Sequence, residues 1–302
     1  MIKVLLCCFL ITCVVRPNIL YAEEKPSIAE FTMGWYFPSI NAQVNRTDFH
    51  VAINFWLEEF SQAVNIEHTE VKVFDHIEDM QVAFDKGELS VIVAPPLLIV
   101  KYFAPNTLAD GFVGKSITGK PYGMVMLVRE DAQITEVKDV KNKRLVLPEN
   151  DELAVVFLDS LLIPKFHQAY QRIFNSVQKL PKQNAIIHQL FFNKADVGVA
   201  YLETYNLMVE LNPQIKDTVK IFANFPIDSP NYSFFHHKFP EDLRKIFIAQ
   251  ALELNQSPRS QQILNDFRMA ALAVCKVESL NPFIRLNKLD QQLQQQIRAQ
   301  DQ

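Results

Sequence analysis

The chain alternates between short, continuous apolar runs and longer stretches whose apolar residues recur at helical spacing. "IAEFTMGWYF" (28–37) reads as a strand, and "DFHVAINFWLEEFSQAV" (48–64) as a helix. In that helix Val51, Phe55, Phe60 and Val64 form one stripe, widened by Ile53, Trp56 and Leu57. "TEVKVFDH" alternates as a strand, "IEDMQVAFDKGE" predicts a short helix stopped by Gly87, and "LSVIVAPP" predicts a buried strand broken by Pro95 and Pro96. Helical "LLIVKYFA" follows. "YGMVMLVRE" (122–130) and "RLVLP" (144–148) are further strands, with a helix from 151 to about 166. Residues 169–195 predict more helix around a break at Pro181. "DVGVAYLETYNLMVEL" reads as strand, loop and helix, "TVKIFANFP" and "YSFFHHKF" as strands, and "PEDLRKIFIAQALEL" as a helix with Pro240 in its first turn. The tail, 290–302, is polar and predicts a frayed helix or disorder.

Strand–helix alternation implies an α/β protein with largely parallel sheets, and the strands are too many for one small sheet. In such sheets the ligand crevice lies beyond the carboxyl ends of the strands. The loops after Tyr36, Ala94, Pro148 and Ala200 are therefore the candidate walls of a site. The loop after Pro148 feeds a helix N-terminus, where free backbone N–H groups and the helix dipole favour an anion. That loop nevertheless carries Glu149, Asn150, Asp151 and Glu152.

Composition narrows the classes. The chain has 302 residues, 49% of them hydrophobic and 21% charged, enough for one large domain or two modest ones. With a formal net charge of -4 and no long basic run, nucleic acid is not an expected partner. Lys3, then an unbroken apolar run over 4–15, then Ala22 before Glu23, has the pattern of a signal peptide over residues 1–22, with an N-terminal membrane anchor as the other reading. Thr12 is bulkier than a lipobox prefers, so no lipid anchor at Cys13 is expected. Of four cysteines only Cys275 lies beyond this leader, which leaves no internal disulfide and predicts a small buried hydrophobe.

Catalytic motifs are not apparent. "GKSITGKP" (114–121) approaches a nucleotide-binding loop but ends in Pro121, without the hydroxyl that would bind Mg²⁺. His236 and His237 are neighbours on a predicted strand and point to opposite sides, and the other histidines lack ligand spacing. No enzyme activity, metal or cofactor is expected.

Three blocks in order carry a resemblance. "ITEVKDVKNKRLVLPENDELAVVFLDSLLI", "NAIIHQLFFNKADVGVAYLETYNLM" and "FDHIEDMQVAFDKGELSVIVAPPLLIV" are similar to segments of the periplasmic solute-binding proteins of ABC transporters, in the phosphate/phosphonate-binding branch. The resemblance covers about residues 28–289. It implies a type 2 periplasmic-binding-protein fold: two lobes, each a mostly parallel sheet flanked by helices, joined by two crossing strands and closing on a solute. Lobe one would be 27–121 plus 233–289 and lobe two 122–232. The expected partners are a small solute and an ABC permease, the location is the periplasm or another exported compartment, and the protein is expected to be a monomer. A solute-binding-like sensory or interaction module for a membrane receptor or kinase is the alternative.

Departures from the family pattern bear on the ligand. Pro148–Glu149–Asn150–Asp151–Glu152 replaces a run rich in Ser, Thr and Gly, Leu98 replaces a tyrosine, and Tyr201 with Glu203 replaces an aspartate. Carboxylates there repel a phosphonate dianion and suit a cationic or amine-bearing solute. Asp151 could instead only cap its helix. Trp35, Tyr36 and Phe37 could form an aromatic wall or ordinary core. Pro95, Tyr122, Asn231 and Tyr232 fall at predicted crevice or crossing positions.

Overall fold

The computed structural model describes residues 28–36, 46–64 and 66–300. The leader and Phe37 lie outside the described residues. The chain opens with β1 (Ile28–Tyr36), α1 (Arg46–Val64), β2 (Ile66–Phe74), α2 (Ile77–Asp85), β3 (Val91–Ala94), α3 (Pro96–Tyr102), β4 (Leu108–Ala109) and β5 (Gly111–Ser116). It continues with β6 (Tyr122–Arg129), β7 (Arg144–Pro148), α4 (Glu152–Phe166), β8 (Ser176–Leu180), α5 (Gln183–Phe191), β9 (Val197–Tyr201), α6 (Leu202–Leu211), α7 (Gln214–Thr218) and β10 (Val219–Ile227). It closes with β11 (Tyr232–His236), α8 (Glu241–Glu253), α9 (Pro258–Asp266), β12 (Met269–Cys275) and α10 (Asn281–Gln300).

These strands form two open sheets. The first runs β12-β5-β11-β3-β1-β2, with β4 paired to β11. Its β2-β1-β3 part is parallel, and β11, β5 and β12 add antiparallel pairs. The second runs β10-β6-β9-β7-β8, parallel at β9-β7-β8 and antiparallel at β10-β6-β9. The chain leaves the first sheet after Ser116, enters the second at Tyr122, leaves it after Ile227 and returns at Tyr232. The fold is thus α/β with two lobes.

Side-chain alternation on the first sheet divides its core. Phe31, Met33, Trp35, Val91 and Val93 face a cluster with Phe49, Trp56 and Phe247. Ile92, Ala94 and half-buried Tyr36 belong to the cluster on the other face. Left-handed backbone appears at two asparagine turns beside the second sheet. Asn142 (φ 62) follows Lys141, and Asn193 (φ 58) begins the turn to Asp196, asparagine being among the few residues that accept this region. Asp196 fixes that turn to the start of β7: its carboxylate accepts from Arg144 N at 2.8 Å and from Arg144 Nη2 at 2.7 Å. The Arg144 guanidinium holds the Asp196 carboxyl below its ordinary pKa.

Part of the expected 169–195 helical stretch differs from the sequence reading. Residues 176–180 are a strand rather than helix. They form the edge of the second sheet beside β7, where exposed Ser176, Gln178 and Lys179 mask the alternation. The near-P-loop segment lies partly in β5, turns at Gly119 (φ 66), and leads into a strand rather than the helix a phosphate loop needs.

The C-terminal helix runs to Gln300. Phe283 and Leu286 enter the large cluster that includes Leu97 and Leu98 of α3 and Phe157 and Leu158 of α4. Leu293 and Ile297, one turn apart, pack on Ile163 of α4. Helix α10 therefore contacts α3 of lobe one and α4 of lobe two. Covered by the sheet on one side and α10 on another, α4 is apolar nearly all round: Leu153, Val156, Phe157, Leu158, Leu162 and Ile163 are buried.

Buried in this contact is Asp159, whose Oδ2 accepts from Gln294 Nε2 at 3.1 Å while Oδ1 has no hydrogen-bond partner. Burial, reinforced by Asp290, raises its pKa from 3.8 to about 6. The folded state therefore binds more protons than the unfolded chain between these values, and stability falls as pH rises through that window. We expect Asp159→Asn to flatten this slope and to raise stability at pH 7 by on the order of 2 kcal/mol, read as melting temperature at pH 5 and pH 7.

Candidate functional site

The carboxyl ends of β1, β3, β7 and β9 converge between the lobes. After β7, Glu149 N donates to Leu180 O at 2.9 Å, and Asn150 takes a left-handed conformation (φ 56). This turn delivers Asp151 to the N-cap of α4, where its carboxylate accepts from Ala154 N at 3.1 Å. The Tyr201 hydroxyl, from the end of β9, donates to the same carboxylate. Tyr201 is held in turn through its N–H, which donates to Gln183 Oε1 at 3.2 Å. Burial raises the Asp151 pKa, and burial together with Asp151 pushes the Tyr201 hydroxyl well above its ordinary range. The protein's own carboxylate thus occupies the position at the helix N-terminus that would serve an anion.

Lobe one supplies the opposite wall. The Tyr102 hydroxyl donates to Glu78 Oε1 at 2.9 Å, which pushes Tyr102 up to about 12; the Glu78 pKa is lowered first by its own backbone N–H and then by this bond. Tyr36 is half-buried; burial first, then Glu152 and Glu78, raise its pKa. Lys101 Nζ reaches Glu152 Oε2 at 2.5 Å and joins α3 to α4. The pair is solvent-exposed, so it contributes only about 0–1 kcal/mol. Three carboxylates and one ammonium, with three tyrosines, make this an acidic, hydroxyl-rich cleft.

Of the residues expected at the site, Tyr36, Asp151 and Tyr201 belong to this group, and Glu149 and Asn150 shape its loop as exposed residues. Pro95 opens α3, its carbonyl accepting from Ile99 N at 3.0 Å. Leu98 is buried in the cluster shared by both lobes. Trp35, Tyr122 and Asn231 are gathered elsewhere, around a cavity of about 130 Å³ that Trp56, Phe112 and Phe267 also line. Glu203 lies in the first turn of α6. One of its oxygens is buried without a hydrogen-bond partner, and burial raises its pKa against the pull of Arg268. Tyr232 is a core residue: its ring packs on Phe234 and Phe283, and its hydroxyl donates to Asp228 Oδ2 at 3.2 Å.

Sequence reasoning missed Glu78, Lys101 and Tyr102. The available signal was the polar end of "LLIVKYFA", where Lys101 and Tyr102 close an otherwise apolar helix just beyond the Pro95–Pro96 break. Among the described residues, no group of three or more His, Cys, Asp or Glu could hold a metal ion. Cys275 is buried, which pushes its thiol up to about 12.

Two sheet-and-helix lobes linked by two crossings, with a cleft at their strand ends, define a periplasmic binding protein of type 2. The family described as "ABC transporter, phosphonate, periplasmic substrate-binding protein" matches residues 39–278, and the chain belongs to it. Among solved structures, XAC2383 from Xanthomonas citri bound to ATP aligns with a TM-score of 0.65 at 11% identity, over 88% of this chain and 98% of that one. PhnD1 from Prochlorococcus marinus in complex with methylphosphonate gives 0.59 at 14% identity, over 88% and 98%. PA3383 from Pseudomonas aeruginosa, a binding protein component of an ABC phosphonate transporter, gives 0.59 at 9% identity, over 88% of each chain. These likenesses concern the fold. No curated protein matches the sequence significantly.

If Asp151 displaces an anion from the head of α4, Asp151→Ser should restore the place, because serine still caps the helix while removing the charge. We expect the variant to fold within about 1 kcal/mol of the parent and to gain methylphosphonate binding by calorimetry.

Proposed function

We propose that the protein is an exported, monomeric solute-binding protein that captures a cationic or amine-bearing small molecule between its lobes and delivers it to an ABC permease. The family is periplasmic, and among the described residues no helix is long and apolar enough to cross a membrane. The leader pattern of residues 1–22 supports export. The observation that carries the ligand reading is the Asp151 carboxylate capping α4, fixed there by Tyr201. A dianion entering this cleft would meet Asp151, Glu152 and Glu78, and its repulsion grows as closure removes water. An ammonium group would find the same carboxylates complementary, with Tyr36 and Tyr102 as aromatic neighbours.

Titration calorimetry and thermal shift against primary and quaternary amines, methylphosphonate and inorganic phosphate test the reading. We expect saturable binding of an amine-bearing solute and a higher melting temperature, since a ligand present at about 100 times its Kd adds about 2.7 kcal/mol. Methylphosphonate should produce neither effect. Tight methylphosphonate binding by the unaltered protein would sink the proposal.

A further inference from the structure

The cavity around Trp35 lies on the side of the first sheet opposite the Asp151 cradle. Trp35 and Val93 face into it from β1 and β3, whereas Tyr36 belongs to the other face. Its walls come from Ile53 and Trp56 of α1, Phe112 of β5 and Phe267 at the end of α9. No Asp, Glu, Lys, Arg or His is among its lining residues. An ion placed there would lose its hydration with no counter-charge in the lining. An apolar cavity of about 150 Å³ holds a benzene ring, so one of about 130 Å³ suits a single small ring or a short branched chain.

Besides the Tyr122, Ser229 and Ser233 hydroxyls in the lining, two of its buried polar atoms have no hydrogen-bond partner. Trp35 is nine-tenths buried, and its Nε1–H has no hydrogen-bond acceptor. Asn231 Oδ1 is buried without a donor. The neighbouring Ser233 hydroxyl is already used, donating to Phe112 O. Native proteins pair almost all such buried groups, and an unpaired one costs about 1–3 kcal/mol. The pair is complementary in kind, one donor and one acceptor. A hydroxyl is the smallest group that can accept from an indole N–H and donate to an amide oxygen.

We propose that this cavity is a second binding site, for a small uncharged molecule of ring size that carries one hydroxyl group. It is separate from the acidic cleft and does not depend on what that cleft binds. Trp35 and Trp56 are the two tryptophans of the chain, and both line the cavity, so intrinsic fluorescence reports on it directly.

Phenol and toluene are the probes, matched in size and differing in the hydroxyl. Titrated into the purified protein, phenol is expected to change the tryptophan fluorescence saturably and to bind about tenfold more tightly than toluene, the worth of one net hydrogen bond. Trp35→Phe keeps an aromatic ring and removes the N–H. It should shrink the preference of phenol over toluene, Asn231 Oδ1 alone remaining as a partner, with Trp56 as reporter, and leave amine binding in the cleft unchanged. Should that variant fail to fold, Asn231→Leu makes the same test by removing the acceptor. The proposal is overturned if phenol does not bind, binds no better than toluene, keeps its full preference in the variant that folds, or is displaced by a cleft-bound amine. The last result would place phenol between the lobes.

Discussion

A single carboxylate on a helix N-terminus sets the character of this molecule. The first N–H groups of α4 lack partners within the helix and must be answered by something. In a phosphonate-binding architecture the guest can answer them. Here Asp151 does so permanently, and Tyr201 holds it from the neighbouring strand end. With that place filled, the surrounding residues follow a different logic. Glu152 is matched by Lys101 across the lobes, Glu78 is tied to Tyr102, and hydroxyls line a cleft that offers no basic cradle. Family membership fixes the scaffold, and within it Asp151 fills the head of α4.

Much of the scaffold was legible because its central strands are buried on both faces. β3, β6 and β9 read as continuous apolar runs, and β7 ends at a proline where its loop begins. β8 escaped notice because an edge strand needs little apolar surface, and "SVQKL" exposes most of its side chains. The last helix was obscured by its glutamines. Its stripe of Leu286, Leu293 and Ile297 is present in the sequence but thinly spread, and becomes meaningful only once Ile163 is known to lie beneath it.

The candidate cleft was legible in parts, and the residues expected there fall into two groups in the structure. An acid at a helix start is a local signal, so the capping role of Asp151 could be foreseen. Its partner could not, since Tyr201 lies fifty positions on and meets Asp151 only because β7 and β9 are adjacent. Trp35 and Tyr36 looked like one aromatic wall. Strand geometry sends consecutive side chains to opposite faces, so one entered the Phe-rich core cluster with its cavity and the other the cleft side.

Helix α10 has a mechanical corollary. Its first turns are seated with lobe one and its later turns on α4, so it spans the joint that the two crossings form. Spreading the halves straight apart would peel Leu293 and Ile297 from Ile163 and wet all three. Turning one half about the helix axis would carry α4 off the same face of α10, because the helix is seated on both lobes. The strap therefore resists separation of the halves, and α10 must give up one of its two seats before they part.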